Sequence, residues 1–200
     1  MNNTIRKIFL VLFALGFSSQ VLAVGMIWGE SNWGEADWGV DEVREPVAPP
    51  AGPVPVSQKI RSLSGGETDA GVSAGAYADN GSPAYGNSFT SGDYITIIAE
   101  IMPDSGDVGT NGELIVVLLS IIGGQQQWSF LNTDGSFESW DLSLSKLGPA
   151  EIVEPLEAVH EISIFEGELQ AGKHRMAIGY MADGGPLIYT AKAINLNVID

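Results

Sequence analysis

Oxygen-bearing side chains gather most densely between residues 104 and 113, where the chain reads Asp104-Ser-Gly-Asp107-Val-Gly-Thr-Asn111-Gly-Glu113. Calcium takes about six to eight oxygen ligands from loops of this composition, so Asp104, Asp107 and Asn111 are candidate metal ligands. The spacing departs from the EF-hand pattern, and a solvated loop built on Asx turns is the competing reading. No other cofactor is implied. Glu166 and Glu168 stand two apart at a strand end and read as surface charge, because glycosidase chemistry needs two acids facing each other across a cleft.

Histidine is confined to His160 and His174. Either could join a His–Asp–Ser arrangement, but no Gly-x-Ser-x-Gly elbow accompanies them. Both fall where a strand begins or alternates outward, so each reads as a solvated or edge histidine. Gly167-Glu-Leu-Gln-Ala-Gly172-Lys173-His174 stops one residue short of a phosphate-binding P-loop: His stands at the Ser/Thr position, and an alternating strand follows where a helix is needed. Ser143-Leu-Ser-Lys146 has the Ser-x-x-Lys spacing of penicillin-recognising enzymes without their helix or partner motifs. With no cysteine, disulfides, thiol nucleophiles and cysteine-ligated metals are excluded. The residues point away from catalysis, and a non-enzymatic protein is expected.

Five tryptophans carry the remaining signal. Trp128 and Trp140 flank the Asp134-Gly135 turn on neighbouring short strands. On one outer face they form a platform for sugar rings or a partner; facing inward they are core. Trp28, Trp33 and Trp38 each begin a Trp-Gly pair, five residues apart within residues 26–39. Five fits neither the helical nor the strand period. The repeat reads either as an aromatic docking motif or as a low-complexity segment, kept in solvent by the acids around it.

The elements that would position these side chains are strands. Asp93–Ile101 alternates, with Ile95, Ile97, Ala99 and Ile101 on one face. Glu113–Ile121 is apolar on both faces, the mark of a strand covered on each side. Gln127–Leu131 and Phe137–Leu144 are joined through Asp134-Gly135, a hairpin signal. Ala158–Phe165 directs Ile162 and Ile164 inward, and Lys173–Ala182 does the same with Met176, Ile178 and Tyr180. Asp183-Gly-Gly-Pro186 then turns the chain into one strand, Leu187–Ile199, with Ile194, Leu196 and Val198 in and Asn195 and Asn197 out. About seven strands with turns roughly every ten residues predict an all-β fold, a two-sheet antiparallel β-sandwich; a closed barrel is the lesser possibility. Residues 64–92 are rich in Gly, Ser and Ala, and read either as two short strands with loops or as a loosely ordered edge.

Upstream, Arg6 and Lys7 precede an apolar run, Ile8–Phe17, and then Ser18-Ser-Gln-Val-Leu-Ala23, with small residues at the positions a signal peptidase reads. The run is too short to span a bilayer, so residues 1–23 read as a cleaved signal peptide and the product as secreted or periplasmic. Residues 24–58 are a disordered leader of Trp-Gly repeats and a proline-rich linker. The β-sandwich domain then occupies 59–200, with its compact core in 93–200. The full chain carries 25 acidic and 9 basic residues, a formal charge of −16. Losing Arg6 and Lys7 leaves seven bases against 25 acids, or −18. Such a balance excludes phosphate-neutralising nucleic-acid binding and polybasic membrane association. A protein or glycan partner at the cell surface stays open; the sequence does not set the oligomeric state.

Several segments also resemble exported domains of Gram-negative bacteria. They are the Met102-Pro-Asp-Ser-Gly-Asp-Val-Gly109 loop, Gln127-Trp-Ser-Phe-Leu-Asn-Thr-Asp-Gly135, Ala171-Gly-Lys-His-Arg-Met-Ala-Ile-Gly-Tyr180 and Leu187-Ile-Tyr189, with the Trp-Gly leader. The resemblance covers about residues 90–200 and the leader. It implies an immunoglobulin- or fibronectin type III-like sandwich and carries no catalytic residue, because a shared fold does not give function. The expectation is a non-enzymatic interaction or structural domain of the cell envelope or extracellular space, or alternatively a carbohydrate-binding module using exposed aromatics.

Overall fold

The computed structural model describes residues 49–50, 60–79, 84–190 and 194–200, all within a unit spanning Pro49–Asp200. The expected signal peptide and the Trp28, Trp33 and Trp38 repeat lie outside the described residues. The described chain is all-β. Its strands are β1 (Ile60–Ser62), β2 (Gly71–Ala78), β3 (Ser88–Thr90), β4 (Tyr94–Met102), β5 (Gly112–Ile122), β6 (Gln125–Leu131), β7 (Phe137–Ser139), β8 (Glu151–Val153), β9 (His160–Glu168), β10 (Gly172–Ala182), β11 (Leu187–Thr190) and β12 (Ile194–Ile199). A single 3-10 turn, Leu144–Lys146, interrupts them among the described residues.

Two sheets form the sandwich. The larger has nine strands, running β1-β11-β10-β5-β6-β7, with β12 beside β10, β3 beside β12 and β8 beside β5. The smaller is β2-β4-β9. Pairing is antiparallel throughout except for the parallel joint between β3 and β12. The alternation of β4 works as expected: Ile95, Ile97, Ala99 and Ile101 are all essentially inaccessible. They meet Leu114, Val116 and Leu118 of β5 and Met176, Ile178 and Tyr180 of β10 in one core between the sheets. Apolar area withdrawn from water in this way is the main force holding a cysteine-free sandwich together.

The strand expected at Leu187–Ile199 is two strands. β11 pairs with Gly179–Met181 and β12 with Gly172–Met176, in tandem along the same edge of β10. Gly179 is where β11 comes closest, for a Cβ there would overlap the Ile188 carbonyl oxygen and stand 2.8 Å from the Tyr189 Cα. Residues 88–90 form the short strand β3, and residues 71–78 form a fully paired strand on β4. Small residues at Ala74, Ala76 and Ala78 let that strand pack close to the core. On its far face Tyr77 is buried and meets Tyr85 edge to face, with ring centroids 6.0 Å apart.

The outward face of β5 is also dry. Ile115, Val117 and Leu119 are buried there, alongside Phe130 of β6. Residues 140–149 contribute to this cover, for a Cβ on Gly148 would lie 3.0 Å from the Phe130 ring. The continuous apolar run of β5 thus has apolar company on both faces, as its sequence requires.

Candidate functional site

Trp128 and Trp140 are cross-strand neighbours on the outward face of the larger sheet. β6 places Trp128 opposite Leu119, the outward residue of β5. The Trp140 amide donates to the Trp128 carbonyl at 2.8 Å just beyond the end of β7. The strand expected to continue from 137 to 144 therefore stops at Ser139, where the chain leaves the sheet. The rings meet edge to face, 6.5 Å apart at 79°. Trp140 is only 5% exposed, and its indole N–H donates to the Ser143 carbonyl at 3.0 Å. It anchors the covering segment, while Trp128 is half-buried beside it. Outward placement and burial, which the sequence set as alternatives, hold together here.

Asp104 and Asp107 belong to a knot of hydrogen bonds that ties the β4–β5 loop to β10. The Tyr180 hydroxyl donates to Asp107 Oδ2 at 2.8 Å and accepts the Asp104 amide at 2.7 Å. Asp104 accepts the Gly106 amide on Oδ1 and the Asp69 amide on Oδ2, and Asp69 in turn accepts the Ser105 amide. The Gly106 amide, then the Thr68 hydroxyl and the Asp69 amide, hold the Asp104 carboxyl below its ordinary range. Burial pushes the Tyr180 phenol well above its usual range, with Asp107 adding to the shift, so the hydroxyl keeps its proton and remains a donor. Asn111 takes another part, its carbonyl accepting the Asp183 amide. Among the described residues no group of three or more His, Asp or Glu side chains is arranged to hold a metal ion.

His174 corrects the reading of an outward or solvated histidine. It alternates with Met176, Ile178 and Tyr180 on the inward face of β10 and is 2% exposed. Nε2 lies 2.9 Å from the Gln170 carbonyl, which can only accept, so that nitrogen carries the proton. Nδ1 lies 3.0 Å from Ser120 Oγ, the residue directly across on β5. His160 behaves as an edge residue, with Nε2 accepting the Glu157 amide. Glu166 and Glu168 are exposed on β9, as expected of surface charge. Gly167 and Gly172 fall at the facing ends of β9 and β10, a strand–strand connection with no helix to cradle phosphate. Ser143 immediately precedes the 3-10 turn without capping it through its side chain, and Lys146 pairs with Asp141 at 2.6 Å on the surface.

A site that motif reading misses lies where β3, β12 and β10 meet. An open groove of about 480 Å³ runs there, its lining made by Asn87, Ser88, Lys173, Arg175, Asn195 and Asn197 together with His174 and Leu196. Antiparallel register sets Asn195 opposite Arg175 and Asn197 opposite Lys173, and the parallel joint sets Ser88 beside Asn197. The signal in the sequence was the outward Asn195-x-Asn197 alternation. Nothing local showed which cations would face it.

No protein-family model matches the chain, and no curated protein matches it. Among solved structures it is similar to the C-terminal domain of wzt, at 14% identity and a TM-score of 0.38, over 73% of this chain and 82% of that one.

Proposed function

We propose that this protein is an exported, non-enzymatic binding domain that engages a glycan on the outward face of its larger sheet. The observation that carries the reading is the groove between β3, β12 and β10, where three amide side chains and two cations converge on one open surface. Amides offer donors and acceptors together, and so do sugar hydroxyls, which makes an asparagine-lined groove a fitting partner for a saccharide. Trp128 stands on the same face, in the cross-strand row that runs Asn195, Arg175, Leu119, Trp128.

The state of the histidines supports binding over catalysis. Both nitrogens of His174 are engaged inside the sandwich, facing Gln170 and Ser120. Export rests on the basic, apolar and small-residue pattern of residues 1–23. Among the described residues no helix is long and apolar enough to cross a membrane. The test is a glycan-array screen of the purified protein, repeated with Asn197→Ala. Glycan retention that this substitution weakens supports the reading, and retention that it leaves unchanged, or a protein that retains no glycan, refutes it. A plain protein-interaction domain would instead capture a protein partner and leave every glycan unbound.

A further inference from the structure

We infer that the groove between β3, β12 and β10 is selective for an anionic saccharide, whose acidic group is held by Lys173 and whose hydroxyls are held by Asn197 and its neighbouring amides. The inference rests on the glycan reading above and adds the charge class of the ligand. It begins from register. Lys173 and Asn197 are directly paired across β10 and β12, and Ser88 follows Asn197 across the parallel joint. Directly paired side chains lie about 5 Å apart at Cβ, so a cation, an amide and a hydroxyl stand in line across three adjacent strands. Arg175 and Asn195 repeat the cation–amide pair two residues along.

Charge makes the placement selective. The chain has 25 acidic residues and 9 basic ones, yet two of those bases share one face of one strand. Lys173 is exposed and has no carboxylate within salt-bridge distance among the described residues. Its ammonium offers three donors and no acceptor, which suits a carboxylate or sulfate and gains little from a neutral hydroxyl. The surrounding negative field repels polyanions in general, so an anion held here is held by the groove itself. Carboxylate and sulfate share this chemistry, and the probes distinguish them.

The experiment measures binding of the purified full chain to four probes by titration calorimetry. Two are charged, oligogalacturonate and sulfated dextran oligosaccharide; two are their uncharged counterparts, the methyl-esterified oligogalacturonate and plain dextran oligosaccharide. At least one charged probe is expected to bind at least tenfold more tightly than its uncharged counterpart, and which one names the acidic group. Lys173→Glu should weaken that binding at least tenfold and Asn197→Ala several-fold. Lys173 is exposed and Asn197 half-buried, and an unchanged melting temperature in each variant shows that the fold is intact. Charged-probe binding that Lys173→Glu leaves unchanged overturns the inference. Equal binding of charged and uncharged probes also overturns it while leaving the glycan reading in place. Failure of all four probes overturns the inference, and if the glycan screen is also blank, the reading beneath it falls too.

Discussion

Replacing Tyr180 with Phe isolates the knot that ties the β4–β5 loop to the core. The ring is 1% exposed and stays in place, so no cavity opens and only the hydroxyl is lost. That hydroxyl donates to Asp107 Oδ2 at 2.8 Å and accepts the Asp104 amide at 2.7 Å. A hydrogen bond to a charged group is worth about 1.5–3 kcal/mol and a neutral one about 0.5–1.5 kcal/mol. Both partners are only part-buried, so water recovers some of the loss, and Tyr180→Phe should cost about 2–3 kcal/mol. For a unit of this size that lowers the melting temperature by about 5–10 °C. Urea unfolding followed by tryptophan fluorescence should show the midpoint fall while the slope stays fixed. Adding Asp107→Ala to Tyr180→Phe should cost less than the two single losses together, because they remove the same bond. A loss below about 0.5 kcal/mol, or strict additivity, would refute the claim that this hydroxyl fastens the loop.

Four other outcomes follow from the geometry. Gly179→Ala should cost about 3 kcal/mol or more or prevent folding, because the new methyl group meets the β11 backbone; Gly112→Ala should cost less in the same urea assay, since it meets only the movable Leu156 side chain. Trp140→Ala should destabilise by about 3–5 kcal/mol as a large buried truncation, with Trp128→Ala milder by calorimetry. Asp104 has its folded carboxyl held below the unfolded value by hydrogen bonds. The stability difference between wild type and Asp104→Asn should therefore be full above about pH 4 and vanish as pH falls through the depressed folded value. A difference that grows on acidification would contradict that sign. His160→Ala, on the edge strand of the smaller sheet, should leave glycan retention intact, as read on the array.

Much of the fold was legible because strand periodicity is local. The alternation of β4, β9 and β10 identified their inward residues, and the doubly apolar β5 announced cover on both faces. Leu187–Ile199 read as one strand because both ends carry strand-forming residues, and nothing local marks where the chain shifts from one partner stretch of β10 to the next. His174 was misread for a related reason. Polarity suggested an outward position, whereas the alternation through Met176 places it inward, where Ser120 and Gln170 satisfy both nitrogens. The groove was legible only in its asparagines. Pairing Asn197 with Lys173 and Ser88 depends on register between strands far apart in the chain, which no local pattern encodes.

The parallel joint between β3 and β12 also bears on the order in which the molecule closes. The β5–β6 and β6–β7 pairs are neighbours in sequence and can zip early, whereas residues 88–90 must find 197–199 across most of the folded unit. Contacts that distant are slow to form because their loop entropy is lost before they are rewarded. The groove spans that distant joint, so its wall at residues 87 and 88 stands beside β12 only once the joint has formed. A ligand seated there would bridge both walls and act as a latch. Its affinity then appears as slower opening of β3 and β12, and hydrogen exchange at those two strands would report occupancy that the rest of the sandwich does not feel.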